Sequence, residues 1–151
     1  MPPGGQPPMM QPGGAMTVPG NLANPWLRIV GGLIDVVILT VINAIISYVI
    51  LKNAQAVAGL LNLIIDLGYF GYFLSQRGQT IGMMVFGFHV RDLQTGQYPS
   101  IGKAVLRGFI WNLEVGLTVC LVGIVGWAWQ LWDPQKQAIH DKAAGTIVTT
   151  N

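Results

Sequence analysis

The strongest constraint in this chain is the run from Gly31 to Ile50, "GGLIDVVILTVINAIISYVI", in which Asp35 is the only charged residue. The wider apolar stretch, Leu27 to Leu51, measures about 37 Å as a helix at 1.5 Å per residue. That length exceeds the ~30 Å hydrocarbon core of a bilayer. A backbone in hydrocarbon has to satisfy its own hydrogen bonds, so the run is expected to be a transmembrane helix. A carboxylate at the centre of such a helix costs about 2.5–3.5 kcal/mol. Asp35 therefore calls for partners from another segment. After a short loop at Lys52 and Asn53 comes a second apolar stretch, about Gln55 to Leu74, which carries Asn62 and Asp66. The two stretches together predict a helical hairpin.

Composition agrees with this reading. Only 9% of the residues are charged and 52% are hydrophobic, whereas soluble domains carry about 25% charged residues. A formal net charge of +2 leaves no nucleic-acid footprint, and the expected partner is the lipid bilayer. The one cysteine, Cys120, lies in an apolar run and is expected to be an inert buried thiol. His89 and His140 stand far apart with no paired cysteine, so no metal site and no cofactor are expected. No nucleophile–base pair is visible, and "GQTIGMMVFG" lacks the Lys-Ser/Thr of a phosphate loop. The chain is not expected to be an enzyme, and no catalytic residues are assigned. Residues 1–25 hold seven of the nine prolines and no charged side chain, which predicts a disordered tail. The remaining residues, 26–150, form the expected membrane domain.

Residues 75–107 change character, with Arg77, Arg91, Lys103 and Arg107 against the lone acid Asp92. Ile81, Met84, Val85 and Phe88 fall at i, i+3, i+4 and i+7. This spacing predicts a short amphipathic helix at the membrane interface. "HVRDLQTGQYPS" reads as two extended pieces about a turn at Thr95–Gly96. The third apolar stretch, 108–132, has the length of one span, and we read it so because Asp133 and Asp141 offset Lys136 and Lys142. The alternative is a re-entrant hairpin of two half-length helices, with its turn covered by protein. The architecture expected is thus all-α, with about three hydrophobic segments and one interfacial segment.

Arg28 and Asp35 lie seven residues apart, on one helix face but about 10 Å apart along the axis, too far for a direct pair; they are expected to be coupled in a charge network that Asp141 completes. The same spacing recurs between "LRIVGGLID" and "LRGFIWNLE", so Arg107 and Glu114 enter the third stretch as Arg28 and Asp35 enter the first. An internal repeat and coincidence both account for this. Asp66 lies about 12 Å from the nearer end of the second helix and could sit at the depth of Asp35, the two carboxylates sharing a proton. Asp66 and Glu114 are the candidate proton or ion carboxylates. The other reading of these charges is mutual neutralisation that fixes helix packing.

The chain resembles the RDD family of membrane proteins, named for one arginine and two aspartates. Arg28 and Asp35 match the first two of these, and Asp141 in "AIHDKAAGTIV" matches the second aspartate. "GQTIG" (Gly78, Gln79, Thr80, Gly82), Arg107 and His140 fall in other stretches similar to the family's. After "GQTIG" the family usually has a basic residue, where Met83 stands here. The resemblance implies a multi-pass protein of the cell membrane and a role in transport, including sodium/proton exchange. With so few segments, such a role implies a homo-oligomer. An accessory or scaffold subunit binding other membrane proteins is the competing reading, suited by the tail and by Trp111, Trp127, Trp129 and Trp132. The excess of basic residues in 75–107 predicts that this segment and the N-terminus face the cytoplasm.

Overall fold

A computed structural model of the protein describes residues 21–50 and 53–150. Helix α1 covers Pro25–Ile45 and runs on into a π turn, Ile46–Ile50. Asn24 caps it by accepting the Trp26 N–H (2.9 Å), and Pro25 starts it where no N–H is needed. Helix α2, Gln55–Arg77, returns alongside and ends at Gly78, whose left-handed φ of 66° closes the last turn. Asn62 on α2 donates to Ser47 on the π turn (2.9 Å). Both helices are long and apolar enough to cross a bilayer.

The outer surface of this hairpin is apolar and the interior is charged. Val37, Val41, Leu60 and Ile64 are more than half exposed, while Asp35 is 2% and Asp66 7% exposed. This reverses the usual order of a soluble core and suits a lipid surround.

Four sequence expectations need correction. The interfacial helix shrinks to one turn, α3, Ile81–Met84. Its four apolar residues do not share a face, since Val85 is 62% exposed and Phe88 2%. Contact with α1 decides the orientation: a Cβ on Gly82 would overlap the Gly31 carbonyl, so the glycine face of α3 turns inward. Gly87, at φ 67°, then ends the helical path.

The second correction concerns "HVRDLQTGQYPS", which makes no hairpin of its own. Strand β1, Phe88–Asp92, pairs antiparallel with a distant strand β2, Thr146–Thr150, with Val90 opposite Val148. The turn at Leu93–Gln97 closes on itself, with the Asp92 N–H reaching the Gln97 carbonyl at 2.9 Å. Beyond it Pro99 has no N–H for a ladder, and Ser100 caps the next helix by accepting the Lys103 N–H. The fold is therefore mostly helical with a two-stranded sheet, rather than all-α. Leu22 bridges to Thr149, and the Ala23 N–H donates to the Val148 carbonyl (3.1 Å). The disorder expected over residues 1–25 does not hold for residues 21–25, and residues 1–20 lie outside the described part.

Third, the stretch 108–132 is not one continuous helix. Helix α4, Ile101–Leu117, gives way to a tight turn at Thr118–Cys120, and Leu121 takes a left-handed φ of 64°. Helix α5, Val122–Ala128, then runs back along α4. The reversal depends on small residues: a Cβ on Gly123 would overlap the Glu114 carbonyl, and Gly126 lies against the Glu114 side chain. Trp127 reaches back to Trp111, with ring centroids 5.9 Å apart. Fourth, Cys120 sits at this turn and is exposed on the protein rather than buried.

The core lies where α2 and α4 cross. Gly108 leaves a notch filled by Phe70, whose ring packs on Trp111 at 4.9 Å. A short helix α6, Ile139–Ala144, follows α5 and leads into β2. The sheet, α6 and the N-terminal ends of α1 and α4 thus gather at one end of the hairpin.

Candidate functional site

Asp141 is the centre of this gathered end. Its side chain is fully buried, and so are its partners Arg107 (1% exposed) and Arg28 (8%). Arg107 donates from Nε (3.0 Å) and Nη2 (2.7 Å) to Asp141 Oδ1. Arg28 donates from Nη2 to Oδ2 at 2.5 Å, and the Ala138 N–H at the start of α6 reaches the same oxygen at 3.0 Å. Arg28 Nη1 also donates to the Lys136 carbonyl. Burial by itself would raise the Asp141 pKa, but the two guanidiniums outweigh it and hold the carboxyl well below the usual range. One carboxylate thus ties α1, α4 and α6 together through hydrogen bonds that carry charge.

Asp35 is held differently. Tyr69 OH donates to Oδ1 (2.7 Å), Thr80 Oγ1 to Oδ2 (2.6 Å) and the Gly82 N–H to Oδ1 (2.9 Å). All three donors are neutral, and among the described residues no cation forms an ion pair with Asp35. "GQTIG" builds most of this cradle. Gly78 caps α2 with the Tyr98 ring lying against it, and Gln79 bonds His89 Nε2 at 2.8 Å. Thr80 and Gly82 then bind the carboxylate, while the missing side chain of Gly82 lets its backbone approach Gly31. Asp35 is not paired with Arg28, and Arg28 belongs instead to Asp141.

Glu114 takes the His140 backbone N–H at 3.1 Å and faces His140 Nδ1 at 2.6 Å. Asp66 accepts from Asn43 (3.1 Å). Asn43 is eight residues beyond Asp35 on α1, about 12 Å further along the axis. Asp66 and Asp35 therefore lie at different depths and do not share a proton. The recurrent Leu-Arg spacing does have a spatial counterpart. Arg28 and Arg107 meet at the same aspartate, and each helix carries its acid two turns further along.

Between these groups lies a cavity of about 30 Å³, whose lining includes Arg28, Asp35, Arg107, Trp127, Gln130 and His140. Tyr69 and Gln130 were not singled out from the sequence. Tyr69 stands three residues after Asp66 and so shares its helix face, and Gln130 is the lone polar residue in "WAWQLW"; both signals were legible. Among the described residues, no group of His, Cys, Asp and Glu is arranged to hold a metal ion.

The profile of the RDD family matches residues 22–145, which takes in all of these side chains. The chain belongs to the RDD family. No curated protein and no solved structure matches it. Within this RDD chain, Arg28 and Asp141 form one unit with Arg107, while Asp35 forms another with "GQTIG".

Proposed function

We propose that this RDD protein is a small multi-pass protein of the cell membrane that exchanges a proton against a cation at Asp35, working as a homo-oligomer. The observation that carries the reading is the cradle of Asp35: a buried carboxylate within a spanning helix, bonded by two hydroxyls and one amide and by no cation. A carboxylate paired with arginine would resist protonation. One held by neutral donors can gain and lose a proton without leaving a charge unpaired. Asp141, clamped by two guanidiniums, serves as the fixed tie around which that site is built. Two spanning helices and a hairpin whose return arm, α5, is only seven residues long cannot enclose a pathway, so a second copy supplies the missing wall.

The arrangement in the membrane follows from the same contacts. Leu22, β1 and β2 are joined in one ladder, which supports placing the N-terminus, the 88–100 segment and the C-terminal strand on one side. With α1 and α2 crossing and returning, α4 and α5 then enter from that side and return to it. Among the described residues every Lys and Arg belongs to this end, and that excess favours the cytoplasm.

The test is the purified protein in liposomes with an internal pH dye. Sodium- or potassium-dependent proton movement is expected from the unmodified chain and not from Asp35→Asn. Equal movement in both would remove Asp35 from the mechanism, and none in either would remove exchange as the function.

A further inference from the structure

The cavity beside Asp35 carries a second message in the atoms around it. Among the described residues, six buried side-chain atoms have no hydrogen-bond partner, and three of them, Arg28 Nε, Trp127 Nε1 and Gln130 Oε1, sit on residues that line it. A buried polar group left unpaired loses its hydration with nothing in return, so a ligand that satisfies these three is strongly favoured. Their chemistry is mixed. Arginine Nε–H and indole Nε1–H only donate, and the amide oxygen only accepts. The amide cannot be turned to make a third donor, because Gln130 Nε2 already donates to the Trp127 carbonyl at 2.9 Å.

A small anion would suit the two donors and be repelled by Gln130 Oε1. A metal ion would suit that oxygen and be repelled by the guanidinium. Water accepts two hydrogen bonds and donates two, which suits all three. Size agrees with this choice. A water needs roughly 10–15 Å³ of such space, so a cavity of about 30 Å³ has room for two waters and for no organic solute.

We propose that this cavity is a site for ordered water, held by Arg28 Nε, Trp127 Nε1 and Gln130 Oε1, that links Asp35 to His140. Both of those residues line the cavity, one from α1 and the other from α6. His140 in turn contacts Glu114 on α4 through Nδ1. A second water, accepting the first one's free O–H, gives the Asp35 proton somewhere to go: it takes that proton on its remaining lone pair as it passes one of its own to His140 Nε2. The Asp35 carboxyl becomes a carboxylate, His140 gains the proton, and the water is unchanged. This deepens the exchange reading and rests on it for its purpose, but the water site itself can be observed without any transport.

The experiment is water-edited solid-state NMR on the full chain, nitrogen-labelled and reconstituted in bilayers. Magnetisation from water is expected to reach the Trp127 indole N–H and the His140 ring nitrogens. Trp127→Phe assigns the first signal. Gln130→Met, which removes the acceptor at similar volume, should slow the transfer several-fold at both positions. Gln130→Glu, which keeps an acceptor oxygen there, should retain it, so a general loss of fold is told apart from loss of the water. No transfer to Trp127 in the unmodified protein, or transfer to both residues that Gln130→Met leaves unchanged, would overturn the site. Transfer to Trp127 without transfer to His140 would overturn the link. Water at both positions together with inactive liposomes would sink the exchange reading alone.

Discussion

Replacing Asp141 by asparagine should be among the most damaging single changes in this protein. The carboxylate receives Arg107 Nε and Nη2, Arg28 Nη2 and the Ala138 N–H. Asparagine keeps the shape but has one acceptor oxygen, and its amide would point two donors at a guanidinium. Both arginines would remain charged with side chains almost fully enclosed. Breaking one buried pair in this way costs about 3–5 kcal/mol, and two cations stranded by one change put Asp141→Asn at the upper end, about 5 kcal/mol. The assay is thermal unfolding in detergent micelles followed by tryptophan fluorescence. A cycle with Arg28→Gln should show coupling of about 1–3 kcal/mol, whereas Arg28→Gln and Asp35→Asn should add to within about 0.5 kcal/mol. The pH dependence has a definite sign. Because the native Asp141 pKa is depressed below the unfolded value of about 3.9, its contribution is complete above about pH 4. It is lost only as pH falls further, toward the depressed native value. The gap between the unmodified chain and Asp141→Asn should therefore stay constant from about pH 5 to 8. A loss below about 1 kcal/mol, or strict additivity of Arg28→Gln with Asp141→Asn, would refute the clamp.

In a Cys120→Ser background, single cysteines at Gln94 and Ala143 should react with a membrane-impermeant maleimide only after cells are opened, and one at Asn53 should react in intact cells. Labelling of Ala143 from outside would overturn the returning α4–α5 hairpin. Gly82→Ala should destabilise severely because its Cβ meets the Gly31 backbone, while Gly68→Ala, with open space around it, should stabilise by about 0.5–1 kcal/mol; similar melting temperatures for the two would contradict the close α1–α3 approach. Burial and Arg91 depress the pKa of His89, so protonating it opposes folding and stability should fall as pH drops below its unfolded value of about 6.5. Removing the ring in His89→Gln should flatten the melting temperature between pH 7 and 5, and an unchanged slope would exclude His89 as the cause.

The two spanning helices were legible because length and hydropathy alone decide them, with Asn24, Pro25 and Gly78 marking their ends. The sheet was not. Val90 and Val148 lie 58 residues apart in the chain, and no local pattern in "HVRDLQTGQYPS" reveals that its partner is "TIVTT". The break near Leu121 was half legible: Gly123 and Gly126 kept the re-entrant alternative open, but leucine gives no sign of a positive φ, and only packing against Glu114 explains the two glycines. For the charges, sequence spacing put Arg28 and Asp35 on one face, too far apart for a direct pair, and the expectation was one network of both with Asp141. The spacing rule omits what other segments deliver. Thr80, Tyr69 and Gly82 reach Asp35 first, and α6 brings Asp141 to Arg28.

The recurrent spacing of "LRIVGGLID" and "LRGFIWNLE" gains physical content from this division. Each helix begins with an arginine that has to enter a membrane-facing fold, and neither arginine is matched by the acid on its own helix. A shared external aspartate solves both problems at once, because one carboxylate has two oxygens and each guanidinium takes one. That frees Asp35 and Glu114 from neutralising cations. They bind instead to hydroxyls, backbone amides and an imidazole. The cost is dependence on α6, which supplies Asp141 from the far end of the chain. Asp35 chemistry should therefore fail in any variant that displaces α6, even when α1 and "GQTIG" are intact. Gln137→Leu offers such a variant, since Gln137 Nε2 holds the Thr146 carbonyl at 2.7 Å just beyond α6. It should lower proton movement in liposomes several-fold while the protein still inserts, and unchanged movement would mean that the Asp35 cradle stands without the clamp.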